Sequence, residues 1–97
     1  MSKVLDAEIT SFLNELEALR EKNPVDAVGQ ALEDMFDAQS AVEGKSLDEQ
    51  SPAFQQARAA VAKATQAVKD ATGDLAKTSN AIEQTNVAIQ AVQAVAP

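Results

Sequence analysis

A chain of 97 residues with net charge −7 and no Cys, His, Trp or Tyr has room for one domain at most, and it lacks disulfides and the thiolate and imidazole metal ligands. Its hydrophobic content of 45% is rich in Ala and Val with only three Phe, which suits closely apposed helices better than a thick aromatic core. No apolar run approaches the ~20 residues of a membrane span, and the first sixteen residues mix charges with apolar side chains instead of forming a signal-peptide core. A cytoplasmic protein is expected, with secretion by a route that uses no cleaved signal left open.

The first helix is expected over about 2–22. Leu5, Ile9, Phe12, Leu16 and Leu19 recur at heptad spacing on one side, Leu13 widens the stripe, and Ser2 stands where an N-cap would. Asn23-Pro24 then interrupts: Asn is a good N-cap and Pro fits the first helical position, so a second helix is expected over 24–43. Its stripe is Val25, Val28, Leu32, Met35 and Val42, with Phe36 alongside and polar Gln39 in one seam slot. Gly29 inside that helix suggests a close helix contact. Gly44 is placed as the C-terminal stop, and 44–51 reads as a loop in which Ser46 and Glu49 could form a short capped turn.

Ser51-Pro52 repeats the start signal. From there one heptad position holds Phe54, Val61, Val68, Leu75, Ile82 and Ile89, and its partner holds Ala57, Ala64, Ala71, Thr78, Thr85 and Val92. An unslipped large–small seam of this length predicts a coiled-coil-like helix over about 52–95, roughly 65 Å long at ~1.5 Å per residue. Gly73 could end it and give four helices of similar length. The heptad phase passes through Gly73 unchanged, which favours one continuous or gently bent helix over a break. The fold expected is all-α and a single domain over 1–97: an antiparallel helical hairpin or small helical bundle closed by this long helix.

Function is bounded by charge and by missing chemistry. Up to Gln50 twelve acids oppose four bases, whereas from Ser51 on three acids oppose four bases. An acidic half repels phosphate, so direct nucleic-acid binding is not expected. There is no His or Cys for general-base or nucleophilic work and no glycine-rich phosphate loop, so no enzyme, metal or cofactor is expected. Glu33, Asp34 and Asp37 form the densest acidic face, too poor in oxygen ligands for a divalent cation and better read as solvated. Thr78, Thr85 and Gln39 are polar seam residues that either fix register or satisfy themselves against their own helix.

The C-terminal stretch from Gln84 carries no charged side chain, and Val87, Ile89, Val92 and Val95 spread over two faces of the helix. One covering helix cannot hide both, so this end is the expected surface for self-association or a partner helix. The function expected is a non-catalytic protein–protein interaction or assembly module, adaptor-like or chaperone-like, with a protein partner or its own copies. In length, acidity and hairpin plan the chain is also similar to small exported helical-hairpin families of bacterial specialised secretion systems. It departs from them in having neither a Trp-x-Gly turn nor a tyrosine-based export tail. A small acidic inhibitor of a basic protein surface is the third reading, carried by the acidic first half alone.

Overall fold

The computed structural model describes residues 3–95 as four helices: α1 (Lys3–Lys22), α2 (Asp26–Val42), α3 (Pro52–Gly73) and α4 (Thr78–Val95), the last preceded by a single 3-10 turn, Leu75–Lys77. The all-α helical-bundle expectation holds. The bundle measures 37 × 19 × 18 Å. Two antiparallel hairpins build it, α1–α2 and α3–α4, and they pack so that α1 lies beside α3 and α2 beside α4. Because α1 and α3 both run away from the same end, these neighbours are parallel. The α2–α3 connection therefore crosses the bundle end diagonally. Leu47 in that connection tucks half-buried against the core and closes it.

Local sequence explains most of the boundaries. Gly44 has φ +75°, the left-handed value that favours glycine, and it follows the last turn of α2. Ser51 Oγ accepts a hydrogen bond from the Phe54 amide at 3.2 Å, with Pro52 in the first turn, so the cap-plus-proline start of α3 is as the sequence suggests. The turn expected between Ser46 and Glu49 is built instead on Asp48, whose Oδ1 accepts from the Gln50 amide at 3.0 Å. Ser2 and the end of the chain from residue 96 lie outside the described residues.

Three expectations are corrected. The helix expected over 52–95 is not continuous: α3 ends at Gly73, Asp74 is extended, and α4 folds back along α3. Asp74 makes the reversal, because its Oδ1 accepts from the Ala76 amide at 3.1 Å and so caps the turn that leads into α4. Second, Asn23 does not cap α2. That helix starts at Asp26 behind Val25, which is 43% exposed and not part of the stripe. Third, Gly29 marks no close contact, since a Cβ built there would meet nothing within 4 Å.

The core follows the large–small division of the sequence. Leu5, Ile9, Phe12, Leu16 and Leu19 of α1 are fully buried, as are Phe54, Val61 and Val68 of α3. Burying each such side chain contributes about 1.5–3 kcal/mol. Ala57, Ala64 and Ala71 of α3 and Ala81 and Ala88 of α4 are equally buried, and their size lets the second hairpin close tightly. The buried face of α4 is Thr78, Ala81, Thr85, Ala88 and Val92, with Ile89 at its margin. Ile82 is only partly buried, and Leu75 is 44% exposed in the turn. Reversal at Asp74 thus rotates the expected seam of large residues off the centre and puts alanines there.

Candidate interaction surface

The uncharged C-terminal stretch, with Val87, Ile89, Val92 and Val95 spread over two faces, is the expected partner surface, and the fold treats the four residues differently. Val92 is fully buried and Ile89 is 7% exposed; both face into the bundle. Val95 is half-buried, and Val87 stands at the surface with 50% exposure. The physical reason is that two helices flank α4 rather than one. Neighbours α3 and α2 cover its two apolar sides from within the same chain. Val87, Ile89, Val92 and Val95 therefore do not form a common docking face.

The acidic face is likewise split. Asp34 and Asp37 border a groove between α2 and α4 with Asn86, Ile89, Gln90 and Gln93. Glu33 lies instead in a groove at the α1–α2 turn, together with Arg20, Asp26 and Gln30. Asp34 is half-buried and accepts from Gln30 Nε2 at 2.9 Å, one turn away on the same helix. Among the described residues no group of His, Cys, Asp or Glu is placed to hold a metal ion.

The polar seam residues are all accounted for. Thr85 is buried, and its hydroxyl donates to the Ala81 carbonyl of its own helix at 2.8 Å. Thr78 donates to the Leu75 carbonyl at 2.8 Å and also accepts from Asn23 Nδ2 at 3.1 Å, so one threonine ties the two hairpins together. Gln39 reaches across to α1, donating to Asp6 Oδ1 at 3.0 Å. A paired ion bridges α1 and α3: Arg58 Nε donates to Glu8 Oε1 at 2.8 Å. The hydrogen bond and charge of Glu8 raise the Arg58 pKa, so its guanidinium stays charged at any ordinary pH. Among the described residues no buried side-chain nitrogen or oxygen lacks a partner.

What remains outside is informative. Phe12 and Phe54 are 0% and 1% exposed, whereas Phe36 is 44% exposed. Phe36 lies three residues before Gln39, hence on the α1-facing flank of α2. Glu33 and Asp37, both exposed, stand beside it on the outward side. Because each hairpin forms one layer, the acidic half of the sequence becomes the α1–α2 layer and the nearly neutral half the α3–α4 layer. The sequence placed Phe36 merely alongside the α2 stripe; its offset of one residue from Met35 was the signal that it faces outward. Among the described residues no helix is long and apolar enough to cross a membrane. No protein-family model matches the chain, and no curated protein or solved structure matches it either.

Proposed function

We propose that this chain is a non-catalytic protein-interaction module that docks a basic protein surface on its α1–α2 layer, with Phe36 as the apolar anchor. The observation that carries this reading is the exposure of Phe36, at 44%, in a bundle whose other two phenylalanines are buried. Aromatic side chains dominate the energetics of protein interfaces, and a rim of charge steers the encounter. Glu33 and Asp37 supply that rim, on the half of the chain that holds twelve of the fifteen acids. Among the described residues no buried side-chain polar atom lacks a partner, which favours a face presented with little reorganisation.

Selection of phage-displayed random peptides on the folded chain, counter-selected on Phe36→Ser, tests the reading. Enriched peptides should combine Lys or Arg with an aromatic or large aliphatic residue. Their binding should weaken with salt and with Glu33→Gln and Asp37→Asn together. Peptides that bind Phe36→Ser as well as the parent chain would refute it.

A further inference from the structure

The two halves of the second hairpin carry one unbroken heptad pattern, and the structure interrupts it at a point that costs the chain little. Val68, Leu75, Ile82 and Ile89 keep step at seven residues, with Ala71, Thr78, Thr85 and Val92 between them. Gly73 has no left-handed φ, and nothing lies within 4 Å of where its Cβ would be, so the backbone there is already helical and unobstructed. Leu75, a seam residue in a straight helix, is left 44% exposed by the turn. Reversal depends on Asp74 alone among the non-helical residues, through its extended backbone and the side-chain bond to the Ala76 amide.

From this we infer that the turn at Gly73–Leu75 is a hinge, and that a second copy of this chain is a partner for α4. Straightening the hinge makes one helix over 52–95, and α4 then leaves its own α2 and α3 for those of the other copy. Pairing across the hairpin is compatible with the exchange. Gln66 and Asp70 of α3 share a cleft with Gln84 and Asn80 of α4, a pairing centred on Leu75. Two straightened helices running antiparallel in that register put Gln66 and Asp70 of one copy opposite Gln84 and Asn80 of the other and bring the two Leu75 side chains together at the dyad. Exchange of an identical element conserves the core contacts, so the free-energy balance rests on the hinge and on the loss of one free particle. Here the hinge gains buried leucine and loses one aspartate cap. Val25, 43% exposed, lies at the same end of the bundle, since Asn23 is bonded to Thr78, and that end faces the other copy after exchange. This inference stands apart from the Phe36 reading, because it uses the hinge and the core and leaves the outer side of α2 untouched.

The test is refolding from guanidinium chloride at high and low chain concentration, followed by size-exclusion chromatography with light scattering. The parent chain should yield a separable dimer at high concentration. Asp74→Ala, which removes the cap in each of two copies, should raise the dimer-to-monomer equilibrium constant at least about tenfold. Leu75→Pro should abolish the dimer and leave a helical monomer. A proline at the first position of a helix is tolerated, Asp74 before it is already extended, and the hydrogen bonds of the turn come from the amides of Asp74, Ala76, Lys77 and Thr78. Mixing copies carrying Gln66→Cys with copies carrying Gln84→Cys before refolding should give a disulfide between chains, which decides the matter even if Leu75→Pro fails to fold. A parent chain and Asp74→Ala that both stay monomeric, or a dimer without the bond between residues 66 and 84 of different copies, overturns the proposal.

Discussion

The side-chain amide of Asn23 donates to the hydroxyl of Thr78 at 3.1 Å, joining the turn between α1 and α2 to the first residue of α4 across fifty-five positions of sequence. Among the described residues it is the one side-chain hydrogen bond between the two hairpins at that end of the bundle. Thr78 keeps its own bond to the Leu75 carbonyl whether or not Asn23 is present.

Asn23→Ala should therefore cost about 1 kcal/mol, the net worth of one ordinary hydrogen bond, without leaving Thr78 unsatisfied. A double-mutant cycle with Thr78→Val, measured by urea unfolding, should give a coupling of at least about 0.5 kcal/mol. Additive losses would mean that the two residues act independently.

The glycines make a matched pair. Gly44, at φ +75°, should not tolerate a side chain, and Gly44→Ala is expected to cost about 1–2 kcal/mol. Gly29 is helical with open space where a Cβ would go, so Gly29→Ala should stabilise by about 0.5–1 kcal/mol. Thermal melts of the two variants should move in opposite directions.

Burial separates two valines of α4 that look alike in sequence. Val92→Ala removes packing from a fully buried site and should cost about 1.5–3 kcal/mol, whereas Val87→Ala, at a half-exposed site, should stay within about 0.5 kcal/mol. A charged residue in place of Ile89 or Val92 should unfold the chain rather than merely weaken an assembly.

The α1 stripe, the Gly44 stop and the Ser51-Pro52 start were readable because each is a local signal with a local cause: periodicity, a left-handed φ, a side-chain cap. Asn23-Pro24 fits an N-cap as well as it fits a turn; in the structure the Asn23 side chain is bonded to the distant Thr78 instead of capping α2. The break at Gly73–Asp74 was present as a glycine followed by a capping aspartate. A heptad pattern that ran through unchanged outweighed it. That pattern is genuine, but an alanine-rich helix offers a second seam one residue away, and Ala81 and Ala88 take the centre that Ile82 and Ile89 were expected to hold. The burial of Ile89 and Val92 was illegible for the same reason, since a straight helix leaves α4 half uncovered and a folded one does not.

Arg58 and Glu8 link α1 to α3 at the surface, with side chains 41% and 32% exposed. Glu8→Gln should lower the melting temperature only slightly, and the difference should shrink as salt is raised. A raised arginine pKa adds stability that is present throughout the range below the unfolded value and is lost only as pH climbs past it. The pair should therefore produce no fall in stability on the alkaline side at ordinary pH.

The return of α4 along α3 is the claim on which the buried Ile89 and Val92, the exposed Leu75 and the hinge all depend. The chain has no native cysteine, so spin labels can be placed through Gln56→Cys and Ala94→Cys, both at exposed positions near the same end of the bundle. Electron–electron dipolar spectroscopy on the isolated monomer should give a short distance, no more than about 25 Å across a bundle of neighbouring helices. A distance near 57 Å, that of a single straight helix between those positions at ~1.5 Å per residue, would contradict it.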